Sequence, residues 1–205
     1  MWIQTVIRGL AAVTLALVTT TAVTMQAPDA PVREATESLL APLRDDPSIA
    51  TDPERLRALA ERTVVPHFDF ETLARWVLGK HWRRATPEQR RAFADAFREM
   101  LIRTYSAALQ DYREPQIHYF PARLSPDGRQ ATVRTRITQP GTQLGVDVQY
   151  RLFVREGQWK VYDVVIDGVS LAASYRTSFD REIRQVGLDG LIERLATRDQ
   201  RIEVQ

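Results

Sequence analysis

The stretch that most resembles a nucleophile site is Asp167-Gly168-Val169-Ser170-Leu171-Ala172, a serine set between a strand pattern and a helix pattern. A nucleophile elbow needs that placement, and it also needs glycine two residues after the serine so that the backbone can approach closely. Ala172 stands there instead. Hydrolases built on the elbow carry their catalytic histidine downstream of the serine, and no histidine follows His118. Ser170 therefore reads as a helix cap whose hydroxyl takes up an orphan amide. The second candidate is Asp163, between Val161 and Val165 and beside Tyr162. A carboxylate in an apolar cone can serve as a base. The competing reading pairs it with one of the many arginines or with a backbone amide, as buried carboxylates usually are.

Metal chemistry finds little support. His67, His81 and His118 form neither an HExxH motif nor a two-histidine cluster, and cysteine is absent. His67-Phe68-Asp69 is a weak ligand pair and reads as a loop ahead of a helix cap. Phosphate loops and dinucleotide fingerprints are missing, and Gly187-Leu188-Asp189-Gly190 reads as a joint between helices. No catalytic residue, metal or cofactor is expected.

The rest of the chain must therefore supply shape. Arg8 is the only charge before Asp29, an apolar stretch follows from Gly9 to Val23, and small residues offer cleavage points near Ala22 or at Ala27. This is the plan of a signal peptide, here taken as residues 1–27. The stretch is shorter than the ~20 apolar residues of a membrane-spanning helix. Residues 28–205 form one expected domain, roughly 180 residues being enough for a sizeable core. Net charge is +2, with acidic residues interleaved among the arginines. A nucleic-acid binder concentrates its positive charge on one face, so no nucleic-acid partner is expected.

Helical patterns fill the first half. An amphipathic segment from Val32 to Leu43 carries Ala35, Leu39, Leu40 and Leu43 on one side. Thr51 and Glu54 have capping-box spacing with Pro53 in the first turn, and Leu56, Leu59, Ala60 and Val64 follow at helical intervals. Asp69 can cap a helix that Gly79 ends. Thr86-Pro87-Glu88-Gln89 opens another helix that runs to about Tyr112 and carries Phe93, Phe97, Met100, Leu101 and Tyr105. After Pro115 the period falls to two. Ile117–Phe120 reads as a short strand, and Ala131–Ile137 and Val146–Val154 alternate apolar with polar. Trp159–Ile166 is apolar at almost every position, which predicts a strand buried on both faces. A helix from Leu171 closes at Gly187, and a last one carries Leu188, Leu191, Ile192 and Leu195. Helices, an antiparallel meander and further helices make an α+β domain. The aromatic residues, Phe97 and Tyr105 among them, read from their periodicity as core in preference to ligand wall.

The run from about Val64 to Leu195 resembles the MlaC family of periplasmic phospholipid-binding proteins, also known as the toluene-tolerance type. The stretches that carry the resemblance are VVPHFDFETLARWVLGKHW, ATPEQRRAFADAFREMLIRTYSAAL, DVQYRLF, QWKVYDVVIDGVSL, SYRTSF and GLDGLIERL, in this order and spacing. Trp76, Trp82 and the Pro140–Leu144 connection are the departures. The resemblance implies helices packed on a curved antiparallel sheet of cystatin or NTF2 type, enclosing an apolar cavity for lipid tails. It implies a carrier and not an enzyme, without a cofactor. The implied partners are a phospholipid, an inner-membrane ABC transporter complex and an outer-membrane lipoprotein–porin complex, with the periplasm as location. The pocket walls are then expected from Val133, Ile137, Val146, Val148, Tyr150, Leu152, Val161 and Val165 on the sheet. Val77, Phe97, Leu101, Tyr105, Val169, Leu171 and Tyr175 are expected from helices and joints. Arg134 or Arg176 at the mouth could meet a lipid phosphate, but an exposed arginine is usually only solvated, and that reading is preferred. An enzyme using Asp163 and an adaptor with a filled core are the alternatives.

Overall fold

The computed structural model describes residues 26–109, 115–139 and 145–197. The expected leader up to residue 25, the Pro140–Leu144 connection and the helix end near Tyr112 lie outside the described residues. Among the described residues six α-helices and five strands follow in chain order: α1 (Ala30–Asp45), α2 (Ser48–Thr51), α3 (Pro53–Thr63), α4 (Phe70–Leu78), α5 (Pro87–Leu109), β1 (Gln116–Leu124), β2 (Gln130–Thr138), β3 (Gly145–Arg155), β4 (Gln158–Ile166), β5 (Val169–Ser170) and α6 (Leu171–Ala196). Short 3-10 turns at Val65–His67 and Gly79–Arg83 flank α4.

Helix starts follow local chemistry. Asp69 caps α4 by accepting the Thr72 amide at 2.8 Å, and Gly79 ends that helix with φ 52°. Thr86 and Gln89 exchange bonds at the head of α5: Thr86 N donates to Gln89 Oε1 at 3.0 Å and Gln89 N to Thr86 Oγ1 at 3.2 Å. The α3 cap is a correction. Asp52, not Thr51, accepts the amides of Glu54 and Arg55, at 3.0 and 3.1 Å. A carboxylate adjacent to the first turn reaches two amides, whereas Thr51 is spent inside α2, donating its hydroxyl to Ser48 O at 2.9 Å. Gly187, with φ 77° and ψ 173°, breaks α6 into two helical pieces where a joint is expected.

The sheet has order β1-β2-β3-β4-β5 and every pairing is antiparallel. Directly opposed residues share a face. The register therefore sets Tyr119, Ala131, Val133, Thr135, Val148, Tyr150 and Leu152 on one side, called here the apolar face. Thr132, Arg134, Arg136, Asp147, Gln149 and Arg151 lie on the other. β1 runs longer than Ile117–Phe120, because a register shift between Phe120 and Arg123, at Pro121, lets pairing resume. Proline is tolerated at such a site on an edge strand.

A second register shift changes the reading of β4. Arg151 pairs with Asp163 but Leu152 pairs with Val161, so Tyr162 is the extra residue of a bulge. Trp159 and Val161 thus join the apolar face, while Asp163 and Val165 turn toward Arg151 and Gln149. Strict alternation would have kept Val161 and Val165 together. The strand is apolar throughout because its two ends are covered on opposite faces.

Two buried apolar clusters result. One joins α4, α5 and α6 and includes Val77, Phe93, Phe97, Leu101, Tyr175, Phe179 and Leu191. Rings interlock there, with Phe97 edge-on to Tyr175 at 5.2 Å and to Phe179 at 5.7 Å. The other covers the apolar face with Val32, Ala131, Val133, Leu152, Trp159 and Val161. An ordinary domain has one contiguous core. Here, among the described residues, Leu56, Leu59, Ile102 and Val148 are buried yet belong to neither cluster.

Candidate functional site

The residues nominated for catalysis are engaged in holding the fold. Asp163, 3% exposed, accepts three bonds: Arg151 Nη1 at 3.0 Å, Ser170 Oγ at 2.7 Å and the Ala172 amide at 3.1 Å. Ser170 Oγ also accepts the Ala173 amide at 3.1 Å and caps α6 from extended backbone at φ −73°, ψ 127°. Together they tie β4 to the N-terminus of α6, where the helix dipole favours negative charge. His81 Nε2 lies 2.7 Å from Asp180 Oδ1 beside Lys80, and Arg184 also reaches this carboxylate. His118 is exposed and sits edge-on to Phe120. Among the described residues no three metal-binding side chains gather.

The apolar face is different in kind, because among the described residues α1 and the turn after α3 cover its hydrocarbon wall. The α1 stripe (Val32, Ala35 and Leu39) and the turn residues Val64, His67 and Phe68 close over Tyr150 and Val161, leaving a pocket of about 140 Å³ also lined by Pro31 and Thr36. Three described contacts fasten the segment to the sheet. Trp159 Nε1 donates to Gln26 O at 3.0 Å, Val32 inserts into the sheet cluster, and the Arg33 guanidinium sits 4.0 Å over the Tyr119 ring. Burial pushes the His67 imidazole below its ordinary pKa, opposed by Glu34 and reinforced by Lys160. Burial likewise raises the Tyr150 phenol.

A wider groove of about 380 Å³ lies on the other side of Phe68, between Asp69, Arg155, Glu156, Gln158 and Lys160. Asp69 and Arg155 are paired there, with Arg155 2.5 Å from Asp69 and 3.6 Å from Glu71, and Lys160 donates to Pro66 O at 2.8 Å. Burial alone would raise the Asp69 carboxyl. The Thr72 amide and the Arg155 guanidinium outweigh burial and hold it below the usual range. Size does not make this groove a hydrocarbon site.

The expected wall residues divide by place. Tyr150 and Val161 line the small pocket, and Val133, Leu152 and Val148 lie buried on the same face. Ile137 and Val146 are half-buried at the β2–β3 end of that face. Val77, Phe97, Leu101 and Tyr175 are packed in the helical cluster, with Tyr105 and Leu171 against it. Val165 is buried on the opposite face of the sheet, and Val169 is 54% exposed in β5. Arg134 lies over Phe120 on the polar face and Arg176 lies against Gly79, both away from the pocket. Sequence reasoning missed Val32, Val64, His67 and Phe68 as lining. The stripe of Ala35 and Leu39 was the available signal, but it showed only that α1 buries one side, not against what.

Comparison with known proteins bears on what this face serves. The family model described as MlaC protein matches residues 33–197. The chain is 27% identical over 182 residues to the intermembrane phospholipid transport system binding protein MlaC of Haemophilus influenzae, covering 87% of this chain and 85% of that protein. It is 30% identical over 170 residues to the toluene tolerance protein ttg2D of Pseudomonas putida, covering 82% and 78%. Among solved structures it resembles the phospholipid-binding protein from Ralstonia solanacearum in complex with a phospholipid, with TM-score 0.76 and 31% identity over 83% of this chain and 95% of that one.

Proposed function

Because the chain belongs to the MlaC family, we propose that it carries phospholipid between membranes, holding acyl chain against the apolar face of its sheet. The supporting observation is the separation of that face from the helical core: four strands present hydrocarbon that the α4–α6 cluster does not fill. The headgroup stays toward solvent. The carrier works in the periplasm, between an inner-membrane ABC transporter complex and an outer-membrane lipoprotein–porin complex, and uses no cofactor.

The energetics explain why such a protein needs shape more than chemistry. Each methylene removed from water gains about 0.8 kcal/mol, so a chain of roughly sixteen carbons is worth on the order of 10 kcal/mol. A lipid leaves a bilayer only for a wall of comparable apolar area. A volume of about 140 Å³ falls below the roughly 300–1,000 Å³ of pockets that bury drug-sized ligands. Loading therefore requires the covering helix and the sheet to part, with α1 and Phe68 on one side and Tyr150 and Val161 on the other. Asp163 is engaged by Arg151, Ser170 and the Ala172 amide at the β4–α6 joint, which supports a structural role over the enzymatic alternative.

The test is solvent extraction of the protein purified after export, followed by mass spectrometry. Co-purifying phospholipid in stoichiometric amount is expected, and a preparation free of lipid that also fails to take it up from vesicles contradicts the reading.

A further inference from the structure

The end of α4 and the turn behind it carry more positive charge than the fold uses. Arg75 and Trp76 stand in the last turn of α4, and Lys80, Arg83 and Arg84 follow along the Gly79–Arg83 turn, all of them exposed. α6 adds two more cations, because Arg176, Asp180 and Arg184 recur every four residues and so share one stripe. The two elements are knit together there. Lys80 Nζ lies 2.8 Å and His81 Nε2 2.7 Å from Asp180 Oδ1, and Arg184 reaches the same carboxylate. The Arg176 guanidinium lies across Gly79, where a Cβ would meet its Nε at 2.8 Å. Six lysines and arginines thus gather around one carboxylate. Arg75, Arg83, Arg84 and Arg176 form no ion pair among the described residues, and Glu71, the carboxylate inside α4, turns to Arg155 at 3.6 Å. Net charge over the whole chain is only +2, so the excess is local.

A large apolar ring stands among these charges. Trp76 is 50% exposed, and its ring rests against Tyr162, the extra residue of the β4 bulge, at 5.8 Å. Tyr162 is backed in turn by Phe153 at 5.7 Å. The indole is therefore braced from behind and open to water in front. An aromatic ring with a polar N–H suits a boundary that is oily on one side and wet on the other. The cations beside it suit phosphate, which a guanidinium meets with paired donors. Both demands are met together at the surface of an anionic phospholipid bilayer.

We propose that Trp76, with Lys80, Arg83, Arg84, Arg176 and Arg184, adsorbs the protein onto an anionic membrane surface, the indole entering the headgroup layer while the cations meet lipid phosphates. The choice of a bilayer over another polyanion rests on the carriage reading and on the open indole. α6 joins the sheet at Asp163, on the face opposite the α1 pocket. Adsorption through this side leaves α1 free to part from the sheet, and it concentrates the carrier where its cargo lies.

The experiment sediments the exported protein with vesicles of phosphatidylcholine alone or mixed with phosphatidylglycerol, and uses polyglutamate as an acidic chain without a bilayer. Each lysine or arginine near an anionic surface is worth about fivefold in partition. Lys80→Gln, Arg83→Gln and Arg84→Gln combined should therefore weaken adsorption to the mixed vesicles by about ten- to a hundredfold. Arg91→Gln, Arg123→Gln and Arg129→Gln combined remove equal charge from exposed sites elsewhere and should change it little. High salt should erase the preference for mixed vesicles. Tryptophan fluorescence should shift to the blue on mixed vesicles, and Trp76→Phe should remove that shift. Equal adsorption to both vesicles, adsorption to neither, or equal losses in the two triple variants overturns the patch while leaving carriage intact. A fluorescence shift with polyglutamate as large as that with vesicles assigns the patch to an acidic polypeptide and overturns the membrane reading. Lipid-free extracts from a protein that adsorbs as expected count against carriage and uphold the patch.

Discussion

Replacing Asp163 by asparagine separates a structural carboxylate from a catalytic one. The side chain is 3% exposed and meets the Arg151 guanidinium and the Ser170 hydroxyl on Oδ2 and the Ala172 amide on Oδ1. Asparagine has one oxygen for these donors. If that oxygen keeps the Ala172 amide, its NH2 group faces Arg151, donor against donor. Ser170 cannot offset this freely, because its oxygen already accepts the Ala173 amide. Loss of one partner from a buried pair costs about 3–5 kcal/mol. Arg151 is 45% exposed and can turn to water, so a cost of about 2–3 kcal/mol is expected, nearer that of one charge-assisted bond. For a domain of this length that lowers the melting temperature by roughly 5–10 °C. Urea unfolding, with lipid extraction on the same sample, is the assay. The account predicts the stability loss with phospholipid retained per folded molecule. Unchanged stability, or loss of lipid from a protein as stable as wild type, refutes the assignment of Asp163 to the β4–α6 joint.

Phe97→Ala and Val148→Trp should fail in different ways. The first empties the centre of the aromatic cluster and should cost about 3–5 kcal/mol in urea titration. The second projects bulk from the apolar face and should cut lipid content by mass spectrometry while circular dichroism stays native; if Val148 is filled core, over-packing costs about 1–3 kcal/mol instead. His67 carries a pH effect of definite sign. Its imidazole is depressed in the fold by burial, so below about pH 6.5 the unfolded chain takes up the proton first and stability falls with pH. His67→Gln should remove that contribution, which appears as a wild-type-minus-variant stability difference that shrinks between about pH 7.5 and pH 5 in urea titrations.

Much of the architecture was legible because it depends on contacts between near neighbours in sequence. The Thr86–Gln89 box, the Asp69 cap and the Gly79 and Gly187 breaks are each decided within a few residues, and the strand alternation of Ala131–Ile137 named its inward face directly. The rest depended on pairing between distant segments. Nothing local to Val161, Tyr162 and Asp163 reveals that Leu152 will pair one residue out of step, yet that bulge decides which face Asp163 and Val165 occupy. Asp52 and Thr51 are both competent caps, and the choice between them turned on α2. The α1 stripe was visible, but its role as cover over Tyr150 and Val161 arises only when a helix from the start of the domain meets strands a hundred residues later. Phe97 and Tyr175 could be core or wall by spacing alone, and the ring contacts place them in the helical core.

Contact between lipid chain and sheet can be observed directly. With methyl-labelled valine and leucine in the loaded protein, nuclear Overhauser transfer from acyl methylenes should reach the methyls of Val133, Val148 and Val161 and leave those of Leu191 and Leu195 silent. Transfer confined to the α4–α6 cluster, or absent from the sheet in a protein that demonstrably holds lipid, would contradict the account.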